Sequence, residues 1–148
     1  MTGIFGSLDV SASALTASRE QMNVTAENLA NAQTTRTADG GPYRRKSVVL
    51  ESAEVGARFD DALDGAMRRG ERPQGVQVSG IVEHEAPPRL VHDPGHPDAN
   101  AEGYVAMPAV DSVTEMVDLI AASRAYEANV TAMQTAKQMF SRTLDLLR

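Results

Sequence analysis

The chain is expected to be mainly α with a small β element. Its long N- and C-terminal helices pack antiparallel as a coiled coil, joined by a Gly/Pro-rich, partly β middle segment. Three observations lead there. Leu8, Leu15, Met22 and Leu29 recur every seven residues, and Leu119, Tyr126, Met133, Phe140 and Leu147 do the same at the other end. Neither Gly nor Pro occurs from Ser7 to Ala32 or from Ser112 to Arg148. Between those stretches Gly and Pro are frequent and short Val-rich runs appear. A seven-residue apolar repeat keeps one stripe of a helix dry, and two such stripes in one chain can close on each other.

Taken in order, the first helix is expected from about Ser7 to Ala32, roughly 39 Å long at about 1.5 Å per residue. Ser11, Ser18 and Thr25 on one flank of its seam, with Ala12 and Ala26 on the other, are small enough for close helix approach. Asn28, Asn31 and Thr34 shape the exit, with a left-handed Asn as the expected cap. Thr34 to Pro42 is a turn-rich loop. Tyr43 to Leu50 reads as a strand, Val76 to Val82 as a second and Arg89 to Val91 as a short third, with a mobile loop at about 57–75. Ser112 and Glu115 match the S-x-x-E capping box that opens a helix. That last helix runs to Arg148, roughly 55 Å.

The C-terminal helix carries two apolar faces. Opposite the bulky stripe lies a row of small residues, Ala121, Ala125, Ala128, Ala132 and Ala136, ending in Met139. Pairing with one helix covers only one face, so contacts with further chains are expected. Assembly contacts are assigned to Leu8, Leu15, Met22, Leu29, Leu119, Tyr126, Met133 and Phe140, and to Ala121, Ala125, Ala128 and Ala132. Residues 1–34 with 112–148 form a terminal-helix domain, and 35–111 a middle segment. Ala-rich surfaces also arise from helix propensity alone, and heptads equally suit a soluble homodimeric coiled coil.

Composition narrows the function. With 148 residues but three Phe, three Tyr and no Trp, a monomeric core is thin. Fourteen basic against twenty acidic side chains give a net charge of −6, and no basic cluster is large enough to engage nucleic acid. The absence of cysteine removes disulfides and thiolate metal sites. No charged segment followed by a continuous apolar run marks a secretory signal, and no stretch reaches the roughly 20 apolar residues that direct membrane insertion needs.

Candidate chemistry is sparse. His92 and His96 with Asp93 and Asp98 are metal ligands by type, but their Pro-Gly-Pro setting favours turn formation and Asx capping. Asp98, Asn100, Glu102 and Gly103 mimic the start of an EF-hand loop, yet its twelfth position is Ala109 instead of Glu. Glu83 and Glu85 share a strand face, where a solvated surface is the plain alternative to a glycosidase pair. No phosphate loop or nucleophile elbow occurs. No catalytic, metal or cofactor site is expected, and no enzymatic activity.

Specific residues then add what periodicity cannot. Asn28-Leu29-Ala30-Asn31, followed by Thr34-Thr35-Arg36-Thr37 and Gly40-Gly41-Pro42-Tyr43, resembles the flagellar basal-body rod proteins. So do Asp93-Pro94-Gly95-His96-Pro97-Asp98, Gly103-Tyr104-Val105 and the run from Glu115 to Met139. Among them the chain looks like the rod protein C family of the proximal rod, over nearly its whole length except about 57–72. One departure is Pro108-Ala109-Val110 where the family usually has Pro-Asn-Val, which weakens a local cap for which Asp111 or Ser112 can substitute. The resemblance implies a structural subunit of the bacterial flagellum, exported by the flagellar type III apparatus without N-terminal cleavage. Its implied place is the periplasmic rod, beside copies of itself and neighbouring rod and ring-junction proteins. The alternative from the residues alone is a cytoplasmic coiled-coil adaptor or export chaperone.

Overall fold

The computed structural model describes residues 2–38, 40–54 and 74–146. Helix α1 (Thr2–Ala30) begins ahead of the expected Ser7 and takes in Gly3 and Gly6. A glycine costs about 1 kcal/mol relative to alanine inside a helix, which the cooperativity of a long helix absorbs. Its exit differs from expectation. No non-glycine residue has a positive φ among the described residues, so the left-handed Asn cap is not used. Instead Asn31 donates to the Glu27 carbonyl from both its backbone N–H (3.0 Å) and its Nδ2 (2.9 Å), and Thr34 Oγ1 donates to Asn31 Oδ1 at 3.1 Å. The end is closed by tight backbone turns, the Ala32 N–H on the Leu29 carbonyl (3.3 Å) and the Thr34 N–H on the Asn31 carbonyl (3.0 Å), with the Asn31 amide adding a second bond to the Glu27 carbonyl.

Strands β1 (Lys46–Glu54) and β2 (Gln74–Glu83) pair in one two-stranded sheet, and β3 (Arg89–His92) and β4 (Tyr104–Met107) in another. The second sheet is antiparallel, with Arg89 opposite Met107 and His92 opposite Tyr104. Strand β1 starts at Lys46 instead of Tyr43 because the Tyr43 N–H is already committed to the Thr34 carbonyl at 3.1 Å. Gln74 and Gly75, expected in a loop, belong to β2; the rest of that loop, 57–73, lies outside the described residues. Strand β4 was not expected. Its four residues are too short for a pattern, and the partner β3 supplies what local sequence does not.

Helix α2 (Ser112–Leu146) is capped by Asp111, not by a Ser112–Glu115 box. Asp111 Oδ1 accepts from the Val113 N–H (3.2 Å), Oδ2 from the Thr114 hydroxyl (2.7 Å), and its carbonyl from the Glu115 N–H (3.0 Å). The Thr114 hydroxyl bond, followed by the Val113 backbone bond, holds the Asp111 carboxyl below its ordinary pKa. Leu147, counted in the heptad row, lies outside the described residues.

The long helices pack against each other in an antiparallel sense. Asn28 near the end of α1 donates to Glu115 near the start of α2, while the beginning of α1 and the end of α2 belong to one compact unit. That unit comprises Met1–Glu20, Leu50–Ser79 and Ala122–Arg148; the other comprises Gln21–Val49 and Gly80–Ala121. In the first, Ala17, Ser18 and Ala122 are buried, and the Val76 N–H donates to Ser13 Oγ at 3.1 Å, tying β2 to α1. In the second, Ala32, Tyr43 and Val110 form a small apolar cluster, with Val105 fully buried. Both cores are thin, as three Phe and no Trp dictate.

The β3–β4 connection is held by its own side chains. Asp93 Oδ1 accepts from the Gly95 N–H, His96 Nδ1 from the Asp98 N–H, and Asn100 Oδ1 from the N–H groups of Glu102 and Tyr104. Gly103 has φ +80°, and an added Cβ would lie 3.2 Å from both His92 Nε2 and Pro94 Cγ. Only glycine suits that combination. Gly103→Ala is expected to cost about 1–2 kcal/mol and to lower the Tm by about 2–8 °C. Gly80→Ala, whose methyl meets nothing within 4 Å, is the control; equal melting curves for the two variants would refute the argument.

Candidate assembly surface

The residues expected in motifs converge on one polar centre. Asn28, only 1% exposed on the inner face of α1, makes four side-chain hydrogen bonds. Its Nδ2 donates to the Lys46 carbonyl (2.8 Å) and to Glu115 Oε2 (3.0 Å). Its Oδ1 accepts from the Tyr43 hydroxyl (3.0 Å) and from the Lys46 N–H (2.9 Å). That is the full capacity of an amide side chain. Glu115, also 1% exposed, accepts a 2.6 Å bond from Arg45 Nε at its other oxygen, and Arg45 Nη2 reaches Asp118 at 3.5 Å. Lys46 Nζ donates to Glu27 at 2.7 Å, a bond that raises its pKa, and stands 5.7 Å above the Tyr43 ring.

Other motif residues fasten loops to this centre. Thr35 Oγ1 donates to Asp98 Oδ2 at 2.8 Å and Arg36 stands 3.6 Å from the other oxygen, so the His96-Pro97-Asp98 turn is moored beside the α1 exit. Gly40 and Gly41 have φ of +83° and +88°, and their turn closes through the Thr37 N–H on the Gly41 carbonyl at 2.9 Å. Pro42 then leads into buried Tyr43. The His92 and Tyr104 rings meet edge to face at 5.1 Å. His84 shares a 2.8 Å bond with Ser47. The histidines are thus spread among separate structural contacts, and no group of three or more metal-ligating side chains occurs among the described residues.

The helix faces divide as their residues dictate. Leu8, Leu15, Met22 and Leu29 are partly buried, as are Leu119, Tyr126 and Met133, while Phe140 lies at the exposed margin. The deepest positions of α1 are Ala17, Val24 and Asn28, a seam of small and polar residues on the other side of the helix from the Leu/Met row. On α2, Ala121, Ala125, Ala128 and Ala132 are exposed. So are Val113 (69%), Met116, Val117, Ile120 (53%) and Met139. Along the same helix the hydroxyls of Thr131, Thr135 and Thr143 donate to carbonyls four residues earlier at 2.8–2.9 Å. No helix of the described residues is long and apolar enough to cross a membrane.

Residues 8–36 match the family described as flagella basal body rod protein, and residues 101–146 match flagellar basal body rod FlgEFG protein C-terminal. The chain is 50% identical to the flagellar basal-body rod protein FlgC of Bacillus subtilis, covering 96% of this chain and 97% of that protein. The chain belongs to the FlgC family of flagellar basal-body rod proteins. FlgC of Borreliella burgdorferi is 41% identical over 99% of both chains, and FlgC of Aquifex aeolicus 38% identical over 98% of both. In this FlgC-family chain, sequence reasoning missed two things. Glu115 was assigned to a local cap when its partners are Asn28 and Arg45, and Val113, Met116, Val117 and Ile120 were passed over because they interrupt no heptad. Their i, i+3, i+4, i+7 spacing was the available signal.

Burial, followed by the charge of Glu27, raises the Tyr43 pKa above its ordinary 10.0. The folded state therefore favours the neutral phenol: its contribution is complete below about pH 10 and is lost as pH rises through the folded value. An ultraviolet absorbance titration should show one phenol ionising late, coincident with loss of helical signal. The late step should vanish in Tyr43→Phe; superimposable curves for native chain and variant would count against the assignment.

Proposed function

We propose that this chain is a structural subunit of the bacterial flagellar basal-body proximal rod, and that it performs no catalysis. The observation that carries the reading is the exposed apolar and small-residue surface along α2, in a chain similar to FlgC proteins over almost its full length. A face of Val113, Val117, Ile120, Ala121, Ala125, Ala128 and Ala132 is a poor final surface for a monomer and a good one for a polymer. Each contact contributes about 25 cal/mol per Å² of apolar area covered, and repetition along a rod sums small contributions into stiffness.

In this reading residues 1–34 and 112–148 form the rod-core domain and 35–111 a middle segment that braces the helix junction. Leu8, Leu15, Met22 and Leu29, with Leu119, Tyr126, Met133 and Phe140, supply bulky contacts; the exposed alanines of α2 allow close approach of a neighbour. The partners are other copies of the chain and adjoining rod and ring-junction proteins. The flagellar type III apparatus delivers the chain to the periplasm without removing its N-terminus. The rod so built carries torque from ring to hook. Near-full-length similarity to rod proteins favours this over the adaptor or chaperone reading.

Leu15→Asp places a charge among partly buried apolar residues and is expected to abolish swimming with normal expression; undiminished motility would sink the rod reading. Because the chain has no cysteine, Ala128→Cys is a unique label. It should react readily with maleimide in the isolated chain and about tenfold more slowly in purified basal bodies. Equal rates in both would remove Ala128 from the assembly surface.

A further inference from the structure

The repeat spacing of the seam between the helices does not by itself fix how far one slides along the other. On α2 it runs through Glu115, Leu119, Ala122, Tyr126, Asn129, Met133 and Ala136, alternating steps of four and three, and on α1 through Ala17, Gln21, Val24 and Asn28. Such repeats map onto themselves when shifted by one heptad. A slide of seven residues leaves Ala17 facing an apolar group, Leu119 in place of Tyr126, while it sets Val24 level with Ser112 and brings Gln21 level with Glu115. Chemically, one amide would replace another.

We infer that the buried Asn28–Glu115–Arg45 cluster is a register pin, selecting one alignment of the two terminal helices and making that alignment depend on the start of β1. Three observations within one compact unit carry this. Glu115 is a carboxylate at 1% exposure with a bond to each oxygen, one from α1 and one from Arg45. Asn28, its partner on α1, is held by both backbone groups of Lys46 and by the Tyr43 hydroxyl, so its amide is oriented by contacts other than those with α2. Arg45 immediately precedes Lys46, so the strand that orients the amide also delivers the cation.

Gln21 has no equivalent. Among the described residues nothing holds its amide toward α2 in the way Lys46 and Tyr43 hold Asn28, and a slipped Glu115 loses Arg45. A carboxylate taken out of water without its partners is strongly disfavoured. The slipped state is therefore penalised most at the Glu115 level, in addition to the smaller loss of Leu119 opposite Val24. Buried polar groups at single seam positions are known to act in this way in coiled coils.

The pin is tested on the isolated full-length chain, so its outcome is independent of the rod reading. Four residues back along α1 from Asn28 and four forward along α2 from Glu115, the antiparallel course sets Val24 level with Leu119. A one-heptad slide would set Val24 level with Ser112 instead. In the cysteine-free background, intramolecular disulfide yields are compared for Val24→Cys with Leu119→Cys and for Val24→Cys with Ser112→Cys. The native network should favour the first pair by about tenfold or more. Glu115→Leu, which keeps the Asn28 clamp on Lys46 and removes the bond between helices, should bring the ratio to about one with helical signal retained. Glu115→Gln keeps an acceptor for Asn28 and loses the charge-assisted bond to Arg45, so its ratio should fall about threefold. If Glu115→Leu does not fold, the Glu115→Gln ratio decides. A lowered Tm with an unchanged ratio in the folded variants would show a merely stabilising cluster and overturn the inference.

Discussion

The structure of the helix junction depends on the saturation of one amide. Asn28 offers two donors and two acceptor positions, and all are used: two on the backbone of Lys46, one on Tyr43 and one on Glu115. Buried polar groups are costly when left unpaired and contribute only modestly when paired. Their main effect is therefore to exclude alternatives. A chain with so few large apolar side chains has little packing specificity to draw on, and the amide and carboxylate take over the task of choosing one arrangement. The apolar neighbours Ala32, Tyr43 and Val110 seal the same place from water.

The remainder of the second unit is organised as moorings to that junction. Asp98 ties the β3–β4 connection to Thr35 and Arg36, Asp111 starts α2 at the right point, and Gly103 lets the chain pass under His92 and Pro94. The first unit is built differently. There Ser13 bridges the β2 backbone to its own helix, and Ala17, Ser18 and Ala122 give close contact without bulk. Polar specificity is concentrated at one end of the helices and small-residue packing along the rest.

Long, uninterrupted helices were legible because periodicity is a property of many residues at once, and an error at any one of them changes little. The Gly-free span, the heptads and the exposed alanines of α2 all came from such patterns. What was missed depends on single partners distant in sequence. Glu115 stands three residues after Ser112, which satisfies a local rule, but the Arg45 guanidinium 70 residues away makes the stronger claim. Strand β4 exists because β3 faces it across Val91 and Val105. Asn31 took a side-chain bond to Glu27 in place of a left-handed turn, a choice no propensity distinguishes.

The threonines of α2 have a further consequence. By returning their hydroxyls to the carbonyls of Glu127, Thr131 and Met139, Thr131, Thr135 and Thr143 spend their polarity on their own helix. What they present outward is mostly methyl, so this surface is less thirsty than its letters suggest. Were a neighbour seated there, these three positions would not by themselves insist on one pose.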